Sequence, residues 1–300
     1  MTHAIQGVHC AAATPVTSDG APDLSLFARH CRALLDEGCH GIAMLGTTGE
    51  ANSFGVADRM ALLEAAIEDG IDAGCLLPGT STPAVSDTIQ LTRHAVQAGA
   101  KGAVLLPPYY YKEPSDEGLF RFYARVIEGV GDDRLRVVLY HIPKISQIPI
   151  SHELIERLMA EFPGIVCGLK DSFGDLEQMR AMTERFPDLG VLAGADPLML
   201  PLLRVGGAGC ITATSNLRAD ALRVVWDGWQ DPARAAEVEA AQDRINVWRE
   251  LSNRYAQLPT IKSMIARVRG DDGWFNMMPP LVELTEAQRQ DIWATMETLD

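Results

Sequence analysis

One lysine in this sequence stands where covalent chemistry with a carbonyl compound is possible. The chain has five lysines, and only Lys170 ends a continuous, largely apolar segment, residues 165–169, of the kind that forms a buried strand. Burial disfavours the ammonium form of a lysine and makes a neutral amine available to attack a carbonyl carbon. A surface lysine paired with Asp171 is compatible with the same spacing, so this segment alone leaves both interpretations open.

Two hydroxyl side chains between glycines form a second candidate. Residues 46–50, GTTGE, follow a predicted strand, and the hydroxyls of Thr47 and Thr48 with the turning backbone amides suit the binding of a small carboxylate. An ordinary strand-to-helix turn with a threonine cap is the alternative.

A phenol completes the set of candidates. Tyr140 lies at the end of another apolar segment, where it can donate or relay protons, although an aromatic core residue fits the same position. Side chains alternate along a strand, so if Tyr140 faces the interior, His141 faces outward and is structural.

Elements of alternating type position these candidates. Short apolar segments bounded by Gly or Pro alternate with segments of helical period, the pattern of repeated βα units around a parallel sheet. The predicted strands are residues 9–14, 41–46, 75–80, 102–106, 136–141, 166–170, 190–194 and 209–212. The predicted helices are residues 24–37, 56–69, 83–98, 116–129, 152–161, 176–185 and 197–205, with Asp23, Ser115, Ser151 and Asp196 as N-caps.

Eight such units close into an α/β fold, the (β/α)₈ TIM barrel, whose active site lies at the C-terminal ends of the strands. We expect the barrel to occupy residues 1–215, and residues 216–300, rich in helix formers and tryptophan, to form a C-terminal helical extension packed on it. A doubly wound sheet is disfavoured, because no GxGxxG follows the first strand and no GxxxxGK[ST] occurs in the sequence.

Composition narrows the function classes. The chain has 300 residues, with 26 basic and 40 acidic side chains and a net charge of −14, a field that repels phosphate backbones. Its apolar runs are shorter than the roughly 20 residues of a membrane-spanning helix, and the N-terminus lacks a signal pattern. Scattered cysteines and histidines without metal-ligand spacing predict no metal and no cofactor. We therefore expect a cytoplasmic protein with no nucleic-acid or membrane partner.

Four motifs in order give a resemblance to a known family. GTTGE at 46–50, PYYY at 108–111, YHIP at 140–143 and GLKD at 168–171 resemble the dihydrodipicolinate synthase and N-acetylneuraminate lyase family of Schiff-base aldolases, and the likeness covers nearly the whole chain. This resemblance implies a class I, metal-independent lyase acting on pyruvate or another small 2-oxo acid. It implies that Lys170 forms the imine, that Thr47 and Thr48 hold the substrate carboxylate, and that Tyr140 moves protons.

The resemblance also implies an assembly and a substrate pocket. In the family a tyrosine from a neighbouring subunit completes the proton relay, and Tyr110 matches that position, which implies a homo-oligomer, a dimer or a tetramer. Asp196 and Ile211 match positions that line the pocket for the rest of the substrate.

One family feature is missing. Dihydrodipicolinate synthases carry an arginine two residues after the proline of the YHIP-like segment, and Ile145 occupies that position here. Without its guanidinium the bidentate grip on a second carboxylate is lost. The sequence therefore favours an aldolase or dehydratase of 2-keto-3-deoxy sugar acids or 4-hydroxy-2-oxo acids. The alternatives are the 4-hydroxy-tetrahydrodipicolinate synthase of lysine biosynthesis and a non-catalytic barrel that only binds a 2-oxo acid.

Overall fold

The sheet is a parallel barrel. In the computed structural model, which describes residues 3–299, seven parallel strands pair in the order β2-β1-β7-β6-β5-β4-β3. The strands are β1 (Gly7–Cys10), β2 (Gly41–Ile42), β3 (Ala103–Leu105), β4 (Val137–His141), β5 (Val166–Asp171), β6 (Gly190–Ala193) and β7 (Gly209–Thr212). Apart from one segment, each predicted strand overlaps an observed one.

The exception is the predicted strand 75–80, which lies between β2 and β3 but does not form a regular strand. It makes isolated parallel bridges on both sides, and Leu77 N donates to Ile42 O at 2.8 Å while Val104 N donates to Pro78 O at 2.9 Å. Pro78 has no N–H to donate, so the ladder on that side is broken. Gly79 passes so close to the chain that follows β2 that an added Cβ would collide with Leu45 O. The segment thus fills the eighth position of the barrel with interrupted pairing.

Helices cover the outside of the barrel and form the extension. They are α1 (Leu24–Asp36), α2 (Val56–Glu68), α3 (Val85–Gln97), α4 (Asp116–Val130), α5 (Pro143–Ser146), α6 (His152–Glu161), α7 (Leu176–Arg185), α8 (Met199–Arg204), α9 (Ser215–Gly228), α10 (Ala235–Ser252), α11 (Gln257–Arg269) and α12 (Glu286–Leu299).

Local capping explains where several helices begin. The side chains of Asp23, Ser115 and Ser151 accept hydrogen bonds from backbone N–H groups in the first turns of α1, α4 and α6, as predicted. The prediction that Asp196 caps the next helix is wrong. Asp196 begins a 3₁₀ turn that Pro197 continues, and Leu198 is the residue that precedes α8.

Alternation along the strands separates two apolar layers. One face of each strand points into the barrel, where Val138, Tyr140 and Leu192 pack together, and the other face packs on the surrounding helices. Helix α9 shares that outer layer through Leu222 and Val225, whereas a separate cluster around Trp248 and Trp274 builds the core of the extension. The division at residue 215 stays a prediction. Within residues 3–299, no helix has the length and apolar character to cross a membrane.

Candidate active site

Strand register brings the first two candidate residues together. In the pairing of β4 with β5, Tyr140 lies opposite Lys170, and in the pairing of β5 with β6, Lys170 lies opposite Leu192. Because neighbouring parallel strands place opposite residues on the same face, both side chains point into the barrel. Lys170 Nζ lies 4.2 Å from the centroid of the Tyr140 ring.

Both side chains are enclosed at the C-terminal end of the barrel. Lys170 is 5% exposed and Tyr140 is 3% exposed, so the surface position considered for the lysine is wrong. Burial alone would raise the pKa of the Tyr140 hydroxyl. The Lys170 cation opposes that effect, together with hydrogen bonds to Thr47, Ser172 and Lys170, and the net result is a pKa below the ordinary value for tyrosine. The pair is therefore suited to exchanging a proton.

The residues next to this pair face the other way. His141 is buried among structural groups, and its Nδ1 accepts from Ile150 N at 3.1 Å. Asp171 Oδ1 accepts from the backbone N–H groups of Phe173 and Gly174 at 2.8 and 3.2 Å, which shapes the turn after β5. The outward, structural orientation predicted for His141 is what the structure shows.

The GTTGE loop lies over the same cavity. Thr47 Oγ1 is 3.4 Å from the Tyr140 hydroxyl, and Thr48 lines the cavity beside it. Leu45 and Glu50, at the two ends of the loop, have φ values of 57° and 53°, a left-handed conformation that is strained for residues other than glycine.

A buried ion pair fastens this loop to the extension. The Glu50 carboxylate pairs with Lys262 of α11, both side chains being almost fully buried. Glu50 Oε2 also accepts from Met278 N at 3.2 Å, and Lys262 Nζ donates to Asn276 O at 3.0 Å. Burial lowers the pKa of Lys262, although the Glu50 carboxylate opposes that change. The extension thus holds the loop in its strained conformation.

Lys170, Tyr140 and the two threonines of the loop line one cavity of about 200 Å³. Its described lining residues are Ala11, Thr47, Thr48, Tyr140, Ile142, Lys144, Ile145, Lys170, Ser172, Gly194, Ala195, Ile211, Ala213, Arg249 and Gln257. The structure therefore brings together Lys170, Tyr140, Thr47, Thr48, Ile145 and Ile211. Over the described part of the chain, no three His, Cys, Asp or Glu side chains are grouped as metal ligands.

Two predicted site residues lie elsewhere. Asp196 does not line the cavity: its side chain is fully buried, with Oδ2 3.6 Å from Arg249 Nη1. Tyr110 is 71% exposed, and its ring packs edge-on against Tyr111 at 5.2 Å between centroids. Within a single chain it does not reach the cavity, so only a second chain could bring a Tyr110 to it.

Sequence reasoning missed three polar lining residues, Ser172, Arg249 and Gln257. Ser172, two positions after Lys170, faces the cavity because of strand alternation, which is a signal available in the sequence. Arg249 on α10 and Gln257 on α11 come from the extension. No local pattern marks these two residues, since their position depends on how the helices pack.

Comparisons with known proteins agree with this architecture. Residues 4–299 match the model of the dihydrodipicolinate synthetase family. The chain is 34% identical over 261 residues to an uncharacterized DapA-like lyase from Chloroflexus aurantiacus, covering 87% of this chain and 86% of that protein. It is 35% identical over 247 residues to the 4-hydroxy-tetrahydrodipicolinate synthase of Corynebacterium urealyticum, covering 79% and 80%.

A solved structure of a protein from the same family superposes closely on this chain. A prophage protein of the dihydrodipicolinic acid synthase family from E. coli K12, crystallised in complex with pyruvate, superposes with a TM-score of 0.89 at 25% identity, covering 98% of both chains.

Proposed function

Because this chain belongs to the dihydrodipicolinate synthetase family, whose members are class I lyases that use a lysine imine and no metal, we propose that it acts on pyruvate or a longer 2-oxo acid through Lys170. The observation that carries the proposal is the enclosed contact of Lys170 Nζ with the Tyr140 ring at 4.2 Å, at the end of the barrel where such sites lie. The E. coli relative crystallised with pyruvate supports the substrate class.

The first step is formation of the imine. The neutral amine of Lys170 attacks the C2 carbonyl carbon, and the carbinolamine loses its hydroxyl as water when a proton is delivered to it. The Tyr140 hydroxyl is the group next to the amine that can deliver and recover this proton. Thr47 and Thr48 bind the substrate carboxylate with hydroxyl and backbone donors.

The second step uses the protonated imine as an electron sink. In the cleavage (retro-aldol) direction, the Tyr140 phenolate takes the proton of the C4 hydroxyl and the C3–C4 bond breaks. The electron pair of that bond forms the C2–C3 double bond of an enamine while the aldehyde leaves. Protonation at C3 followed by attack of water at C2 releases pyruvate and the free amine. A dehydratase would instead remove a C3 proton and expel a hydroxyl from C4 as water.

For the complete substrate we propose a 2-keto-3-deoxy sugar acid or a 4-hydroxy-2-oxo acid. Ile145 lies at the cavity where the family's synthases carry an arginine, and its side chain is 61% exposed. A carboxylate placed there lacks a charge-assisted pair of hydrogen bonds, on the order of 2 to 5 kcal/mol at a desolvated site. We therefore expect little condensation of pyruvate with aspartate semialdehyde.

The synthase of lysine biosynthesis is the second candidate. The likeness to the Corynebacterium urealyticum enzyme, at 35% identity, favours it. Efficient turnover of aspartate semialdehyde in a panel of aldehydes, assayed by consumption of pyruvate, would make it the better assignment.

Borohydride trapping tests the chemistry directly. Incubation with pyruvate and borohydride should leave a stable added mass on Lys170 by peptide mass spectrometry. Lys170→Ala should abolish this adduct, while Lys112→Ala, which removes an exposed lysine outside the cavity, should leave it intact. No adduct in the unaltered protein, or an adduct that persists in Lys170→Ala, would overturn the mechanism. An adduct without turnover of any aldehyde or 2-keto-3-deoxy acid would indicate the non-catalytic barrel.

We also propose that the protein is a homo-oligomer, a dimer or a tetramer, in which Tyr110 of one chain joins the relay of another. Its exposure supports this role, because an aromatic ring that is 71% exposed is available to a second chain. Light scattering should give an oligomer, and Tyr110→Phe should lower kcat. A fully active monomer would contradict the proposal. The cytoplasmic location expected from six free cysteines also stays a prediction.

A further inference from the structure

The charge of the cavity differs from that of the molecule. Among the described residues that line it, Lys144, Lys170 and Arg249 are cationic and none carries a carboxylate, although the whole chain has a net charge of −14. Such a wall attracts an anionic substrate and repels a cationic one. If the threonine loop holds one substrate carboxylate beside Lys170, Lys144 and Arg249 are left without a substrate anion.

Arg249 is held in place by its own helix. Gln242, seven residues earlier on the same face of α10, accepts from Leu200 N at 3.2 Å and donates to Asp196 O at 3.1 Å. These two hydrogen bonds fasten α10 to the chain that follows β6. The same contact places Arg249 beside the Asp196 side chain.

Two side chains orient the guanidinium. The fully buried Asp196 carboxylate lies 3.6 Å from Arg249 Nη1. The Gln257 amide, in the orientation that presents its oxygen, accepts from Arg249 Nη2 at 3.0 Å and also from Arg249 Nη1. The Arg249 side chain itself remains 22% exposed, at the cavity. Its planar set of donors is therefore partly engaged by Asp196 and Gln257, and its exposed part lies at the cavity.

We propose that Arg249 binds a second carboxylate, at the far end of the substrate, so that the preferred substrates are 2-oxo acids with two carboxylates. This inference rests on the proposed function, since it names the distal group of the substrate that Lys170 holds. Arg249 takes the place of the arginine missing at Ile145, but it comes from α10 of the extension rather than from α5. Asp196 is then a positioning residue rather than a substrate contact.

The charges favour a carboxylate over other ionic groups. Lys144 and Arg249 together with the Asp196 carboxylate leave one positive charge, which matches a carboxylate and falls short of a phosphate dianion. An ammonium would meet two cations and no exposed carboxylate on this wall. The zwitterionic aspartate semialdehyde therefore remains a poor fit even though Arg249 is present.

Two matched pairs of acceptor aldehydes test this proposal. Glyoxylate and glycolaldehyde differ only in a carboxylate against a hydroxymethyl group, and succinic semialdehyde and 4-hydroxybutanal repeat the comparison at greater length. The measurement is the ratio of kcat/KM for the two members of a pair, with pyruvate as the donor. The ratio cancels any change that affects both acceptors equally.

In Arg249→Met, we expect the ratio to fall by about 30-fold or more for the pair whose length fits, because a charge-assisted fork to a carboxylate is lost. Arg249→Lys keeps a cation beside Asp196 and serves as the second variant if Arg249→Met does not fold. Its kcat/KM ratio should fall by about 10-fold, since a point charge does not reproduce bidentate hydrogen bonds. Arg244→Met, the same substitution at an exposed position of α10, should leave the ratio unchanged. Lys144→Met, at an exposed residue, should change it less than Arg249→Met.

Borohydride trapping with pyruvate on the same samples separates the two proposals. An adduct on Lys170 with no fall in the ratio for either pair in Arg249→Met and Arg249→Lys would overturn the role of Arg249 and leave the proposed function standing. Absence of the adduct from the unaltered protein would overturn the proposed function. Glycolaldehyde phosphate is the last arm: an Arg249-dependent preference for it alone would show that the distal anion is a phosphate and that the carboxylate assignment is wrong.

Discussion

The two walls of the cavity are built by different kinds of structure. The wall with Lys170 and Tyr140 comes from β5 and β4, where the register of hydrogen-bonded strands places the two side chains opposite each other. The facing wall comes from the short helix α5, with Ile145 61% exposed, and from Arg249 on α10 of the extension. One wall is held by a ladder of backbone bonds and the other by side-chain contacts between helices.

This difference separates reaction from specificity. Groups that make and break bonds need fixed geometry, which a strand pair inside the barrel supplies. Groups that select the distal part of the substrate can vary without disturbing the sheet, because loops and outer helices tolerate substitution. We therefore expect substitutions on the first wall to reduce the rate for every substrate, and substitutions on the second wall to redistribute activity among substrates.

The largest effect is expected on the strand wall, at Tyr140. Tyr140→Phe should lower kcat by about 100-fold to 10,000-fold, because it removes the hydroxyl that moves protons while keeping the aromatic ring in the barrel. The midpoint of urea unfolding should stay near that of the unaltered protein. A rate within a few-fold of the original would place Tyr140 among the packing residues and weaken the distinction between the walls.

The ion pair between Glu50 and Lys262 tests how much the contact between the extension and the loop 46–50 beside the strand wall contributes to stability. Lys262→Met leaves the Glu50 carboxylate buried without its cation, and we expect a loss of about 3 to 5 kcal/mol in the free energy of unfolding. Adding Glu50→Gln to the same chain should recover part of that loss. Urea unfolding measures both variants. If the double variant is less stable than Lys262→Met alone, the uncompensated charge is not the cause.

The contact between barrel and extension also has a dependence on pH. Burial lowers the pKa of His30 to about 3, and its ring lies 4.6 Å from Trp274 of the extension while Nε2 is 3.0 Å from Asn216 Oδ1. Between that value and the ordinary 6.5, the unfolded chain binds a proton that the folded chain does not. The contribution of His30 to the free energy of unfolding is therefore fully present above about pH 6.5. Below that pH the free energy of unfolding falls by about 1.4 kcal/mol per pH unit because of this residue.

Replacing the histidine removes that dependence. His30→Gln keeps an amide donor toward Asn216 and does not titrate, so the decline in unfolding free energy between pH 6 and pH 5 should shrink by about 1.4 kcal/mol. His9, whose pKa burial likewise lowers to about 3, should account for a comparable part of what remains. An unchanged slope in urea titrations at the two pH values would show that His30 does not contribute.

The smallest effect is expected on the facing wall, at Ile145. Ile145→Arg restores the guanidinium that the family's synthases carry, at a side chain exposed enough to accept it. Condensation of pyruvate with aspartate semialdehyde should rise by about 10-fold, because bidentate hydrogen bonds to its carboxylate outweigh the added repulsion of its ammonium. The rate of pyruvate trapping at Lys170 should stay the same, because the strand wall is unaltered. A fall in trapping would show that the two walls are coupled.

Much of the strand wall could be predicted from the sequence. Lys170 and Tyr140 end apolar segments, and the period of two along a strand determines which neighbours share a face, so Ser172 could have been included by the same rule. Caps such as Ser115 and Ser151 are local hydrogen bonds and were predicted correctly. The interrupted pairing of segment 75–80 was not predicted. The missing N–H of Pro78 breaks the hydrogen-bond ladder only where a neighbouring strand would accept from it.

The sequence by itself determined the order of elements, the closed α/β architecture and the residues at the strand ends, since these follow from local periodicity, capping and the absence of rival motifs. Only the tertiary structure decided which distant side chains complete the cavity. Arg249 reaches the cavity because the hydrogen bond from Gln242 to the Asp196 backbone fastens α10 to the chain after β6. The Asp196 side chain does not line the cavity, because its carboxylate lies beside that arginine. Contacts of this kind depend on helix packing over long separations, which no local pattern encodes.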